Sequence, residues 1–423
     1  MAELRPFRAL RYDPAHVELA RVLVPPYDVV GPEERALYYE SDPRSAIRLE
    51  LTRRPEEEAT TDYSQAADIL RAWRREEVLV QDAQPAFYGL RQRCVAPDGS
   101  AAVREGFFAL LRLEDYAHRV VLPHERTLAG PKADRLKQLR ATRANLSSVF
   151  FLYDDRGHEL RPVLAEGFAA PALAAAVDRA GIEHALYRLD AAPLVQRVQR
   201  FFADQSVVIA DGHHRYETAL AYRDEQRAQA GDSTSEAGCE WILGYFANAF
   251  ASGTLLLPIH RVVRSASVPP EARWRERLAT WREERVPLGG SEEVPGLLAK
   301  YLEPHAGEHA FAVDDNSGSL RIFRRPADGE LGVRVLEREV LGDVFGLDPA
   351  AIREGALAFT SDAARAASLV REGQGTAALF LNPLQPDDVF RVTRAGEVLP
   401  QKSTFFFPKL PSGLLFRTLE EQV

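Results

Sequence analysis

The sequence predicts an α+β fold, and two features indicate this class. Residues 87–95 and 101–113 are strand-like segments joined by the turn Pro97-Asp98-Gly99, which is typical of a β-hairpin. Further along the chain, the apolar residues 207–210 have the composition of a buried strand and lead through a polar turn into an amphipathic helix. A hairpin and a strand-to-helix turn in one chain favour the α+β class.

The other elements follow from hydrophobic periodicity and from turn residues. Residues 1–60 are predicted to form short strands and loops, including a strand at 47–51, and a helix is predicted at 66–75. Residues 159–180 are rich in Ala and Leu and are predicted to be helical. The remaining predictions are a helix through 134–139, strands at 147–153, 242–246, 254–257 and 376–381, a surface loop at 231–238, a hairpin within 307–337 and a helix near 362–372.

Length and composition narrow the class of protein. A chain of 423 residues, 46% hydrophobic and 27% charged, is typical of a folded protein with two domains or one composite domain. The net charge of −9 disfavours binding to nucleic acid. The sequence has no run of about 18 apolar residues and no secretory signal, so no membrane span and a cytoplasmic location are expected. Cys94 and Cys239 are not spaced for a structural zinc site.

The motif Asp211-Gly212-His213-His214-Arg215 carries the strongest functional signal. A helix N-terminus presents N–H groups and a positive dipole end to phosphate, and glycine lets the backbone approach the ligand closely. Arg215 adds a permanently charged planar donor. An Asp-Gly turn that only caps a helix is the alternative, but two adjacent histidines between Asp and Arg favour a functional site. The chain has no Walker-type loop, so this turn is the predicted phosphate site.

A second group of candidates begins at Pro123-His124-Glu125. A carboxylate such as Glu125 can orient a hydroxyl and accept its proton during phosphoryl transfer. Lys132 and Arg135 are candidate phosphate ligands, although residues 132–140 equally fit a solvated helix with i,i+3 and i,i+4 charge pairs. Lysine is rare among the 53 basic residues, and a retained lysine can serve as a compact charge beside phosphate; the lysines are Lys132, Lys137, Lys300, Lys402 and Lys409.

Weaker candidates lie elsewhere in the chain. They include Pro25-Pro26-Tyr27-Asp28, Asn248 with His260-Arg261, and the segment 402–409, whose aromatic run is more typical of a core or an interface. Glu50 is a reserve candidate for the catalytic base. Because it alternates with Leu49 and Leu51, it is predicted to lie on the exposed face of a strand.

At these motifs the sequence resembles, nearly end to end, a family catalogued as domain of unknown function ten-fifteen. The resemblance implies membership of that family, whose biochemical role is poorly defined. The motifs that carry it are Val24-Pro25-Pro26-Tyr27-Asp28-Val29, Arg48-Leu49-Glu50, His124-Glu125-Arg126-Thr127, Asn145-Leu146-Ser147, Leu152-Tyr153-Asp154-Asp155, residues 210–215, Lys402-Ser403-Thr404 and Pro408-Lys409-Leu410.

Three segments also resemble, in the same order, free-serine kinases of the ParB/sulfiredoxin fold: Pro123-His124-Glu125, Asp134-Arg135-Leu136 and the motif at 211–215. This resemblance implies phosphorylation of the hydroxyl of free L-serine, with Glu125 as the base. It also implies that the Asp211 motif holds the nucleotide phosphates. The spacing from Glu125 to Asp211 is longer here, and the compact kinases lack the flanking regions, so the identity of the acceptor stays open.

We therefore predict a ParB/sulfiredoxin-like catalytic domain at 86–264, between an N-terminal region at 1–85 and a C-terminal region at 265–423. The predicted activity is transfer of phosphate from ATP or ADP, with Mg²⁺, to a small hydroxy-amino acid. The predicted catalytic residues are Glu125, Asp211 and His213, the predicted nucleotide ligands are Gly212, His214, Arg215, Lys132 and Arg135, and the predicted Mg²⁺ ligand is Asp211. The alternative is a ParB-like regulatory protein that binds or slowly hydrolyses a nucleotide.

Overall fold

The computed structural model describes residues 1–127, 129–230 and 237–420. The β-strands are β1 Leu4–Arg5, β2 Leu10–Tyr12, β3 Leu79–Gln81, β4 Phe87–Val95, β5 Ala101–Arg112, β6 Val121–Leu122, β7 Ala144–Asn145, β8 Val149–Tyr153, β9 Ala174–Val177, β10 Glu183–Leu189, β11 Val207–Asp211, β12 Trp241–Asn248, β13 Leu255–Leu257, β14 His260–Val263, β15 Arg282–Pro287, β16 His309–Asp314, β17 Ser319–Arg325, β18 Leu357–Thr360, β19 Ala377–Leu381, β20 Phe405–Phe407 and β21 Arg417–Thr418.

The α-helices are α1 Leu19–Val22, α2 Pro32–Ser41, α3 Ile47–Glu50, α4 Ser64–Arg75, α5 Ala129–Thr142, α6 Leu160–Phe168, α7 Ala192–Phe202, α8 His213–Ala230, α9 Glu271–Arg277, α10 Val294–Tyr301, α11 Gly332–Val335, α12 Pro349–Ala351, α13 Ala363–Arg371 and α14 Pro386–Arg394. Two π-helical segments, Leu336–Val344 and Ile352–Ala356, continue from α11 and α12. None of the described helices is both long enough and apolar enough to cross a membrane.

The chain divides into two compact units. The first comprises Met1–Leu255, Thr393–Val398 and Pro408–Val423, and the second comprises Leu256–Val392 and Leu399–Phe407. The predicted domains at 1–85, 86–264 and 265–423 have different boundaries from these two units, and they remain a prediction.

Within the described residues, a nine-stranded mixed sheet forms the centre of the first unit. Its strand order is β6-β11-β8-β12-β5-β4-β10-β9, and β1 also pairs with β5. β8 and β12 are parallel, whereas β11 runs antiparallel to β8, which brings Asp211 opposite Phe150 near the start of β8. The sheet combines parallel and antiparallel pairs with separate helices, so the predicted α+β class is confirmed.

Helices α6, α7 and α8 cover one face of this sheet. Their apolar side chains, including Phe168, Phe202 and Tyr216, pack with the strand residues Phe107 and Phe151 in one buried cluster. A second cluster of the same unit joins N-terminal residues such as Leu10 and Trp73 to Leu146 and Phe416. Residues far apart in the sequence therefore share this second core.

Several predicted elements are confirmed. The hairpin is formed by β4 and β5, which pair from Tyr88 opposite Phe108 to Val95 opposite Ala101. Helices α4, α5 and α13 and strands β8, β12, β13 and β19 occur where the periodicity predicted them. Of the predicted surface loop at 231–238, residues 231–236 lie outside the described residues.

Other predictions were wrong. The strand predicted at 47–51 is helix α3, and Glu50 is buried rather than exposed, because Ile47, Leu49 and Glu50 are all enclosed by neighbouring segments. Residues 1–60 contain α1 and α2 in addition to strands and loops. The helix predicted at 159–180 ends at Phe168, and the Ala-rich residues beyond Pro171 form β9 on β10. The hairpin predicted within 307–337, in contrast, is confirmed: β16 and β17 pair antiparallel as far as Arg325, and α11 follows.

The second unit contains a six-stranded sheet in the order β15-β17-β16-β19-β14-β18, among the residues that the structure describes. Its core includes Val262, Val294, Leu320 and Phe380, with Ala366 of α13 packed against them.

Candidate functional site

The predicted site begins at a strand-to-helix turn in the first unit. β11 is buried from Val207 to Ala210 and ends at Asp211, and α8 starts at His213. Between them, Gly212 has a φ of +93°, a conformation that residues with a Cβ atom rarely adopt. A Cβ atom at Gly212 would also lie 2.9 Å from Nε of Arg215. The predicted turn is confirmed, and its glycine makes room for the arginine.

Asp211 is held between two cationic side chains. Nζ of Lys409 donates to Oδ1 at 2.6 Å, and Nη2 of Arg215 donates to Oδ2 at 2.7 Å. Burial raises the pKa of Asp211, but the charges of Lys409 and Arg215 outweigh burial and hold that pKa well below its ordinary value. Arg215 also donates through Nη1 to the carbonyl oxygen of Ser148. The carboxylate is therefore ionised and fixes both cations.

The role of Asp211 as a Mg²⁺ ligand stays a prediction. Each Asp211 oxygen already accepts a hydrogen bond from a cation, so a Mg²⁺ ion there would share these oxygens with Lys409 and Arg215. Within residues 1–127, 129–230 and 237–420, no group of three or more His, Cys, Asp or Glu side chains is arranged to hold a metal ion.

A pair of buried histidines lies beside this turn. The backbone N–H of His124 donates to Nε2 of His213 at 3.2 Å, and the two rings pack edge to face with centroids 4.6 Å apart. Nδ1 of His124 bonds the carbonyl oxygen of Ile209. Burial lowers the pKa of His124; burial, together with the charge of a protonated His124, lowers the pKa of His213 well below its ordinary value. Both imidazoles are neutral near pH 7.

Glu125 is brought to the same place by the segment that follows β6. Its Oε1 lies 3.9 Å from Nε2 of His124, and its side chain is 22% exposed. Because His124 is neutral, this contact is a carboxylate beside an imidazole and not an ion pair. Glu125 and His213, which are 88 positions apart, thus flank the same imidazole. His214 lies in the first turn of α8 and is partly buried.

Lys132 and Arg135 point to other partners. Nζ of Lys132 donates to Glu217 of α8 at 2.9 Å, and Thr127 donates to the same carboxylate oxygen at 2.7 Å. Arg135 is buried and donates to the hydroxyl of Tyr63 at 2.7 Å. These contacts tie α5 to its neighbours and are not the i,i+3 and i,i+4 charge pairs of a solvated helix. A role for Lys132 and Arg135 in phosphate binding stays a prediction.

Glu50 and Arg135, both buried, form a cluster with the partly buried Tyr27. The guanidinium of Arg135 lies 4.3 Å from the centre of the Tyr27 ring and donates to the backbone carbonyl of Glu50 at 2.8 Å. Oε1 of Glu50 accepts from the hydroxyl of Ser412 at 2.8 Å. Burial raises the pKa of Tyr27 to about 12, against the opposing charges of Arg135 and Arg215. Tyr27 therefore lies within electrostatic reach of both arginines.

Lys409 is the residue that sequence reasoning ranked too low. It was placed among the weaker candidates of segment 402–409, yet it contacts Asp211 directly. The rarity of lysine, which marks Lys409 as one of five candidate charges beside phosphate, is the signal in the sequence that points to it. Asn248, another weak candidate, bonds the carbonyl oxygen of Asp155 at 2.7 Å, and His260 and Arg261 lie on β14 in the second unit.

A model of the family described as "Protein of unknown function (DUF1015)" matches residues 4–336. The chain belongs to this family. No curated protein matches the sequence.

Solved structures give distant matches. A conserved hypothetical protein from Pyrococcus furiosus is 14% identical, with 75% of this chain and 97% of that chain covered and a TM-score of 0.34. A free serine kinase in complex with AMP is 14% identical, with 75% and 93% covered and a TM-score of 0.35. The SbnI protein of Staphylococcus aureus with a C-terminal truncation is 10% identical, with 73% and 86% covered and a TM-score of 0.32.

Proposed function

We propose that the protein is a phosphotransferase that binds ATP or ADP at the Asp211 turn and phosphorylates the hydroxyl of a small amino acid such as L-serine. The central part of the first unit is proposed to be a ParB/sulfiredoxin-like domain, in line with the order of its three motifs. The observation that carries the proposal is the convergence of Lys409 and Arg215 on Asp211 at the start of α8.

The charge balance of this group suits phosphate. Two cations share one carboxylate, which leaves one positive charge in excess, and the N–H groups of the first helical turn add the positive end of a helix dipole. Because Asp211 fixes both cations in advance, a phosphate would meet donors that need little reorganisation. Arg215 and Lys409 are proposed as the main phosphate ligands, with Gly212 and His214 at the same helix start.

Glu125 is proposed as the general base. Its carboxylate would accept the proton of the acceptor hydroxyl while the hydroxyl oxygen forms a bond to the terminal phosphorus. The bond from that phosphorus to the bridging oxygen of the nucleotide breaks, and the nucleotide leaves with one phosphate fewer. The proton then passes from Glu125 to solvent. His213 is proposed to position the segment of Glu125, because it accepts the backbone N–H of His124.

The proposal is tested by incubating the protein with ATP or ADP, Mg²⁺ and a panel of hydroxy-amino acids, and detecting phosphorylated product by ³¹P NMR. A parallel sample with EDTA measures the dependence on metal. Glu125→Gln should lower turnover about 10²–10⁴-fold while nucleotide affinity, measured by calorimetry, stays nearly unchanged. Glu183→Gln, at the start of β10 where the side chain is 42% exposed, is the matched control.

Nucleotide binding is tested separately at Lys409. Lys409→Met should weaken ADP binding about tenfold or more, because it removes a charge-assisted donor. Lys300→Met is the control, since Lys300 lies in the second unit against the ring of Tyr301. Nucleotide binding without transfer to any acceptor would favour the regulatory alternative, and a protein that binds no nucleotide would contradict both functions.

A further inference from the structure

A row of buried polar side chains crosses the central sheet outside the Asp211 turn. Gln92 of β4 lies directly opposite Arg104 of β5 on one side and His184 of β10 on the other. Their exposed fractions are 0%, 1% and 0%. Burying three polar side chains in a sheet is costly unless each finds hydrogen-bond partners, so the pattern of their bonds is informative.

The direction of each bond in this row is fixed by chemistry. Nε and Nη2 of Arg104 both approach Oε1 of Gln92, the first at 3.0 Å, and a guanidinium can only donate. Oε1 is therefore the acceptor, and the amide nitrogen of Gln92 must face the opposite way. That nitrogen has two hydrogens, and two acceptors lie near it: Nδ1 of His184 and the carbonyl oxygen of Lys409, each at 3.2 Å.

Asp178 determines which ring nitrogen of His184 carries the proton. Its Oδ2 lies 2.8 Å from Nε2 of His184. Burial raises the pKa of Asp178, but the hydrogen bond from His184 helps to lower that pKa below its ordinary value, so the carboxylate is ionised and accepts. His184 then carries its proton on Nε2 and leaves Nδ1 free to accept from Gln92. Both hydrogens of the Gln92 amide and the Nε2–H of His184 therefore face acceptors.

We infer that Gln92 is a positioning residue that fixes the backbone of Lys409 and thereby holds the Lys409 ammonium on Asp211. Lys409 lies outside helices and strands. Gln92 holds the carbonyl end of this residue, and Asp211 holds its ammonium end at 2.6 Å. Arg104 and His184 in turn hold the amide of Gln92 in one orientation.

The inference predicts a spectroscopic change at one lysine. The sequence contains five lysines, so protein labelled with ¹³C at lysine Cε should give five resolvable signals, and Lys409→Arg assigns that of Lys409. Gln92→Met removes both donors, and Gln92→Glu removes the donors but keeps an oxygen for Arg104. Both variants should shift the Lys409 signal and leave the other four in place. Gln199→Met is the control, since Gln199 also bonds a backbone carbonyl, that of Leu4, at 2.9 Å.

Two further readouts separate this role from a purely structural one. Long-range ¹⁵N–¹H spectra of the wild-type protein should show His184 protonated on Nε2. Because this measurement uses the wild-type protein, it does not depend on whether a variant folds. Where ADP binds, the Gln92 variants should weaken it about tenfold, whereas Gln199→Met should not. This last readout rests on the proposed function; the other two are measured without nucleotide.

The outcomes are distinct. An unmoved Lys409 signal in a folded Gln92 variant, or a wild-type His184 protonated on Nδ1, overturns the inference. Failure of ADP to bind the wild-type protein counts against the proposed function and leaves the lysine and histidine spectra to decide the role of Gln92.

Discussion

Gly212 shows how one residue sets the geometry of the candidate site. Its φ of +93° lies in a region that costs an L-residue about 1–2 kcal/mol, and a Cβ atom there would also press on the guanidinium of Arg215 at 2.9 Å. The turn thus requires glycine for two separate reasons, backbone conformation and space for Arg215.

Gly99 allows the two reasons to be separated. It has a similar φ of +84°, but nothing lies within 4 Å of the position that its Cβ atom would take. We expect Gly99→Ala to lower the free energy of unfolding by about 1 kcal/mol and Gly212→Ala to lower it further, because only the second displaces Arg215. Urea unfolding measures both. Equal losses would show that the contact with Arg215 adds nothing.

At the level of elements, the sequence predicted those helices, strands and turns that are determined by residues close together in the chain. The apolar run of β11, the polar turn and the start of α8 form one continuous signal, and the hairpin of β4 and β5 is marked by Pro97-Asp98-Gly99. The motif Pro123-His124-Glu125 also indicated Glu125, which lies beside the Asp211 turn. The sequence therefore revealed those candidate residues that belong to a recognisable local motif.

The missed features depend on contacts between distant segments. Helix α3 was predicted as a strand because apolar and polar residues alternate in this segment. Such alternation indicates a strand only where one face is solvated, whereas α3 is enclosed by neighbouring segments. Lys409 and Ser412 meet Asp211 and Glu50 across 198 and 362 positions. No local pattern predicts such contacts, so the C-terminal part of the site could not be placed from the sequence.

Phe416 tests whether this C-terminal segment is integral to the first unit. It is fully buried, bonds Leu10 through the backbone, and packs edge to face on Tyr12 with ring centroids 5.7 Å apart. Phe416→Ala should lower the free energy of unfolding by about 3–5 kcal/mol, measured in urea, because a large cavity opens in the shared core. Leu37→Ala, at a site that is 52% exposed, should change it by less than about 0.5 kcal/mol. Comparable losses in the two variants would contradict the packing described for residues 408–418.

At the scale of the whole molecule, the buried histidine pair should make stability depend on pH. The pKa values of His124 and His213 are lowered in the folded protein, the first by burial and the second by burial and by the nearby His124. Unfolded histidine has a pKa of about 6.5. As the pH falls below that value, the unfolded chain binds protons that the folded protein does not, so the stability present above it is progressively lost. Each histidine can contribute a slope of up to about 1.4 kcal/mol per pH unit.

Asp211 acts in a different pH window, which allows the two effects to be distinguished. The pKa of Asp211 is lowered in the folded protein despite burial, so its contribution to stability is present above the unfolded pKa of about 3.9. This contribution is lost only as the pH falls from that value through the lower pKa of the folded state. Between pH 7 and 5 the loss of stability should therefore come from histidines. We expect His213→Gln to be less stable than the wild type at pH 7 but to lose less stability on going to pH 5, as measured by urea unfolding at each pH. Gly99→Ala, which removes no titratable group, is the control and should keep the wild-type slope. A parallel shift of the His213→Gln curve at all pH values would mean that the histidine pair is not buried in its neutral form.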